Sequence, residues 1–267
     1  MNLLIKLGIC FIGIGLSNAH ADALCNSPLG QDFVTVRPAV LWHKLAKVPT
    51  LKDEYETTAS FQERVAKLMG GEQATAVEIN VSSEFMKYDA DSATLHIQSY
   101  YFMNGTTDYQ NIFGYGTPLY NKVSYGIHNA AVIFPSEEAS AGSYVGVTPL
   151  GVKLQVTKIK RLTRIIFERD LGQEEGLFKK SGSHNSPIVS IPNISPEQAR
   201  GLKKNARAAF VYVPKPPYFT TGTYPWGGPS LQNPREIDER LEVAIGDIQC
   251  AVLLNSENKV LAIVPTR

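Results

Sequence analysis

Residues Arg235-Glu236-Ile237-Asp238-Glu239-Arg240-Leu241-Glu242-Val243-Ala244-Ile245-Gly246-Asp247-Ile248-Gln249-Cys250-Ala251-Val252-Leu253-Leu254 decide the fold. Ile237, Leu241, Val243 and Ile245 share one parity while Asp238, Arg240 and Glu242 take the other, the period of a strand with one buried face. At Gly246-Asp247 the apolar phase moves to Ile248, Cys250, Val252 and Leu254, so a bulge or turn is expected at Gly246. A helical reading of Pro234 to Ile245 stays open, because Arg235, Glu236, Glu239 and Arg240 form helices well. Downstream, Asn255-Ser256-Glu257-Asn258 turns the chain into Val260 to Val264 and completes a hairpin.

Upstream, Ala208 to Val213 is an apolar run of strand length, closed by Pro214, Pro216 and Pro217. Before it, Ser195-Pro196-Glu197-Gln198 sets a capping hydroxyl, a proline at the first helical position and a glutamine at the third, predicting a helix to about Ala206. Val152, Leu154 and Val156 alternate with Lys153 and Gln155, and Leu162 to Phe167 follows, giving two strands or one bent strand. Gly172 to Asn193 is polar and turn-rich. Six tyrosines between Tyr100 and Gly126, broken by Gly105, Gly114, Gly116 and Pro118, read as a long ordered loop. Phe85 to Tyr88 and Thr94 to Gln98 flank the polar turn Asp89-Ala90-Asp91-Ser92, and Val77, Ile79 and Val81 alternate with Glu78 and Asn80. Phe61, Val65 and Leu68 recur at helical spacing within Thr58 to Met69, with Thr57 or Thr58 as cap and Gly70-Gly71 as stop. Asp22 to Val48, with Pro28, Gly30 and Pro38, is expected to be a lead-in segment on the domain surface.

These elements predict an α+β fold, mainly antiparallel β sheet with two short helices packed on it. The chain divides into a leader at 1–21 and a single β-rich domain at 22–267, or two closely packed halves, 22–140 and 141–267.

The leader reading rests on Lys6, an apolar stretch from Leu7 to Leu16 and a polar close at Ala19-His20-Ala21, the three parts of an export signal. The apolar stretch is well short of the roughly 20 residues that cross a bilayer as a helix. Leu24 before Cys25 does not suit lipid attachment. Removing 21 of 267 residues leaves 246, and loss of Lys6 takes the formal charge from +1 to 0. A neutral chain has no excess of cations for a phosphate backbone, so nucleic acid is not an expected partner. No later apolar run approaches spanning length, and a periplasmic or secreted location is expected. Cys10 leaves with the leader, so Cys25 and Cys250 have only each other, and in an oxidising compartment they are expected to form a disulfide.

Chemistry is sparse. His43, His96, His128 and His184 are isolated from one another and no close cysteine pair exists, so neither metal nor cofactor is expected. No Gly-x-Ser-x-Gly elbow occurs, and Ser181-Gly182-Ser183-His184-Asn185-Ser186 reads as a solvated loop. Glu168, Asp170, Glu174 and Glu175, and again Asp238, Glu239 and Glu242, read as solvated faces with ion pairs to nearby Arg and Lys. No residue is assigned a catalytic role. Two aromatic loops remain, the tyrosine-rich one and Tyr218 to Pro229, of which Tyr115, Tyr120, Tyr218, Tyr224 and Trp226 are the candidate binding surface.

The segment Leu51 to Val65 contains Glu56-Thr57-Thr58-Ala59-x-Phe61-x-x-Arg64, and it resembles a segment recurring in uncharacterised exported bacterial proteins. The resemblance implies export and no activity. Its physical content is a helix entry, with Tyr55 expected to pack back on the first turn while a threonine caps it. The expectation for function is a non-catalytic exported protein of the bacterial envelope that binds a protein or glycan partner. Two alternatives are a secreted hydrolase built from distant residues such as His184, Glu168 and Asp170, and a purely structural envelope component.

Overall fold

The structure is a computed structural model in which residues 16–49, 52–69, 73–79, 81–98, 100–103, 131–148, 151–168, 178, 187–225 and 228–266 are described. In chain order the elements are α1 (Leu16–Cys25), α2 (Pro38–Leu45), α3 (Thr58–Met69), β1 (Thr75–Ile79), a 3₁₀ turn (Ser83–Phe85), β2 (Met86–Asp89) and β3 (Thr94–Gln98). There follow α4 (Tyr100–Met103), β4 (Ala131–Ile133), β5 (Glu137–Val147), β6 (Lys153–Glu168), β7 (Pro187–Ile191), α5 (Pro196–Asn205), β8 (Arg207–Pro225), β9 (Arg235–Leu254) and β10 (Val260–Pro265).

The stretch that decides the fold is a single 20-residue strand, β9, and its helical alternative is not adopted. Along one edge it pairs antiparallel with β8. Along the other it pairs first with β6, in parallel from Arg235 to Gly246, and then with β10, antiparallel from Cys250 to Leu254. The main sheet runs β1-β8-β9-β6-β4, with β10 on β9 and β5 on β6, and a second sheet runs β2-β3-β7. The expectation of a mainly antiparallel sheet holds with one exception, the β6–β9 pair, which makes the main sheet mixed. The two expected helices are present as α3 and α5; α1, α2 and α4 are additional. Strands from the two sequence halves interleave, since β1 lies on β8, β4 lies on β6, and β3 lies on β7.

Local signals act as their chemistry requires at α5. The Ser195 hydroxyl accepts the Gln198 N–H at 3.2 Å and the Gln198 side chain accepts the Ser195 N–H at 2.8 Å, a reciprocal capping box. Thr57 caps α3 by accepting the Ser60 N–H at 3.1 Å. Tyr55, however, is 90% exposed, so it does not pack back on the first turn. The lead-in segment also departs from expectation: Leu41, Trp42 and Leu45 of α2 are buried in the core. Eight residues carry too little periodicity to announce a helix, and Pro38 at its start was readable equally as a loop.

The core lies on both faces of β8 and β9. Ala208, Phe210 and Tyr212 join α2, α3, α4 and the second sheet on one face, while Ala209, Val211 and Val213 join Ala21, Phe33, Cys250, Val252 and Leu254 on the other. Burial on both sides explains why Ala208 to Val213 is an unbroken apolar run. In β9 the first face takes Ala244 and Ile248, then Ala251 and Leu253. That jump in phase occurs at Gln249, because Val211 pairs with Cys250 and Tyr212 with Ile248. The expected irregularity at Gly246 therefore sits three residues later. The prolines do interrupt β8, but only between Pro214, opposite Gly246, and Phe219, opposite Ala244; the strand then continues to Pro225.

Candidate functional site

The two halves of β9 have opposite character. From Val243 to Leu254 both faces are apolar except at Asp247 and Gln249, whereas from Arg235 to Glu242 both faces carry charge. On one face Arg161 meets Glu138 at 2.6 Å and Glu239 at 3.9 Å, Arg235 reaches the other oxygen of Glu138 at 2.6 Å, and the Thr163 hydroxyl bonds both Glu239 and Ser136. On the opposite face Arg164 bridges Glu137 and Glu242, the Tyr144 hydroxyl donates to Glu236 at 2.7 Å, and the Lys158 ammonium sits 5.2 Å from the Tyr144 ring centroid. The Arg161 guanidinium holds the Glu138 carboxyl below the usual carboxylate range, with Arg235 adding to the effect. Cross-strand ion pairs thus take the place that apolar neighbours fill in the inner half. Asp238 is exposed, as expected of a solvated face, but Glu239 is buried.

β5 forms the outer border of this extension. None of its eleven residues is buried, and among the described residues it pairs with β6 alone. Val145 and Val147 are 59% and 64% exposed. An extra residue in β5 between Ser140 and Ser143, with Gly142 at φ +99°, bulges its first part away from a regular ladder. β5 escaped the sequence reading because Ala139-Ser140-Ala141-Gly142-Ser143 has no apolar alternation. The signal that was available is Tyr144-Val145-Gly146-Val147.

A second polar group is buried where β9 exchanges β6 for β10. Opposite the β8 excursion, Ile245 has no residue of the β8 ladder beside it, and the Tyr212 hydroxyl donates to its carbonyl at 2.8 Å. Gly246 lets this happen: a Cβ there would lie 2.4 Å from the Tyr212 ring and 2.2 Å from the Val213 carbonyl oxygen. Burial, with Asp247, Glu168 and Tyr218 nearby, pushes the Tyr212 hydroxyl far above its ordinary pKa. Glu168 accepts the Ile248 N–H, and the Thr266 hydroxyl donates to the Ile248 carbonyl. Lys215 meets Asp247 at 3.6 Å. Every one of these contacts completes the backbone or balances a charge.

Tyr115, Tyr120 and Trp226 lie outside the described residues, as do His128, Asp170, Glu174, Glu175 and His184. The backbone of Tyr224 is part of β8, opposite Glu239. Tyr218 is a correction: its ring is 3% exposed within the core, with the backbone at φ +68°, so it offers no surface. Its place in a loop rich in glycine and proline hid the return of the chain to the sheet at Phe219. Cys25 and Cys250 are joined, with Cα atoms 5.9 Å apart, fastening α1 to β9.

His96 Nδ1 lies 2.9 Å from the Ser190 hydroxyl, yet the two are an exposed cross-strand pair of β3 and β7 rather than members of a dry site. Among the described residues no three His, Cys, Asp or Glu side chains gather as a metal site, and no helix is long and apolar enough to cross a membrane. No family model matches the chain, and none of the curated proteins or solved structures compared with it matches either.

Proposed function

We propose that this chain is a non-catalytic, exported protein of the bacterial envelope that binds another envelope component, a protein or a glycan. The observation that carries the reading is the outer sheet: a charged extension of β8, β9, β6 and β5 ending in a border strand with no buried residue. Ordered surface of this kind, held by ion pairs on both faces, presents backbone donors and acceptors to a partner. The edge favours a protein over a glycan, because strand addition needs a polypeptide. The leader pattern and the Cys25–Cys250 bond support an oxidising destination. The hydrolase alternative loses one of its three members, since Glu168 is committed to the Ile248 N–H.

The test is photo-cross-linking in intact cells from a reactive group placed at Val145, followed by identification of the captured molecule and glycan-array binding of the purified chain. Capture of an envelope protein or selective glycan binding supports the proposal. No capture, together with turnover of model substrates that disappears in His184→Ala, overturns it.

A further inference from the structure

The border strand β5 has a second property that concerns copies of this chain. From Ala139 to Val147 it carries no charge and no proline, whereas solvent-facing edge strands are ordinarily guarded by lysine, proline or inward-pointing charge. The bulge between Ser140 and Ser143 divides the strand into two regular parts, and the uncharged one is Ser143–Val147. Any occupant that pairs by strand addition must therefore be short.

Resting on the reading of β5 as a binding edge, we propose that, in the absence of the envelope partner, its occupant is the same segment of a second copy, paired antiparallel across a two-fold axis at Val145. In this register Val145 lies opposite its own counterpart, Ser143 opposite the partner's Val147, and Tyr144 opposite the partner's Gly146. The last pairing sets the largest side chain of the segment beside the residue with none. The isologous arrangement is the one a two-fold interface requires. The symmetry also fixes the direction, because a two-fold axis through the ladder at Val145 runs the two segments antiparallel. The ion-paired start of β5, with Glu137 and Glu138 bridged to Arg164, Arg161 and Arg235, then lies away from the axis. The exposed Val145 and Val147 side chains, which alternate to one face, then meet those of the second copy and lose water. A five-residue ladder is a small interface, so the association is weak and reversible.

Sedimentation equilibrium of the exported, oxidised chain at concentrations up to about 1 mM, the range in which small interfaces bind, is expected to show a monomer–dimer equilibrium. Val145→Lys is expected to raise its dissociation constant at least tenfold, whereas Val152→Lys, an exposed valine outside the segment, leaves it unchanged. Register is read by cysteine. Val145→Cys is expected to form an intermolecular disulfide under air, and Val147→Cys is not, because its counterpart lies roughly 14 Å away at 3.4 Å per residue. Circular dichroism of each variant verifies the fold. A chain that stays monomeric throughout overturns the proposal, as does a dimer indifferent to Val145→Lys or cross-linked equally from both positions.

Discussion

The carboxylate of Glu168, the last residue of β6, accepts the backbone N–H of Ile248 in β9, 80 residues further along the chain. It does so where the parallel ladder has ended at Gly246 and the β10 ladder has not begun, so a side chain stands in for a missing strand. Thr266 completes the repair from the other side through the Ile248 carbonyl.

Glu168→Ala leaves a buried N–H without an acceptor and is expected to destabilise the oxidised chain by about 1–3 kcal/mol. Glu168→Gln retains an acceptor oxygen and is expected to lose less than half as much. Urea denaturation followed by far-ultraviolet circular dichroism measures both. Equal losses in the two variants would mean that the charge, not the acceptor, matters.

Gly246→Ala sets a methyl group against the Val213 backbone and the Tyr212 ring, and neither is the free end of a flexible side chain. The expected loss is about 3 kcal/mol or more, among the larger effects of single substitutions. A loss under about 1 kcal/mol would show that β8 shifts easily at the excursion.

Burial raises the pKa of Tyr212, and also that of Tyr101. The neutral forms are favoured in the folded state, so the associated stability is complete below the unfolded value of about 10 and is lost as pH rises above it. Unfolding by urea is expected to become easier from about pH 10 upward, with a shallower slope in Tyr212→Phe. Ultraviolet absorbance at the tyrosinate band, recorded alongside, is expected to show these two phenols ionising only on unfolding. Ionisation within the folded chain would contradict their burial.

The Cys25–Cys250 bond closes a loop with a sequence separation of 225 residues. In the chain-entropy treatment a loop of this length contributes about 5 kcal/mol. Cys25→Ser is therefore expected to lower the urea midpoint strongly without changing the far-ultraviolet spectrum in water. Intact mass after alkylation, with and without reductant, checks that the bond is present in the starting protein.

Elements with one buried face are legible in the local sequence. The Asp89-Ala90-Asp91-Ser92 turn closes a hairpin in which Asp89 pairs with Thr94, and the Ser195 capping box starts α5. Lys153 to Phe167 proved to be one strand, β6. Elements whose burial depends on distant neighbours are not legible there: α2, with three buried side chains in eight residues, and β5, with no buried side chain at all. The same holds for the candidate site, since Tyr218 reads as a surface ring until the return of β8 places it in the core.

By itself the sequence determined the two capped helices, the hairpins and the one way two cysteines can pair, and it pointed to a strand for β9 while leaving a helix over Pro234 to Ile245 open, because periodicity, capping and counting act over a few residues or over composition. Only the tertiary structure decided that β9 runs parallel to β6, that its phase changes at Gln249, and that Gly246 exists to admit Tyr212. Those features depend on which strand lies beside which, and alternation along one strand is the same whether its neighbour runs with it or against it.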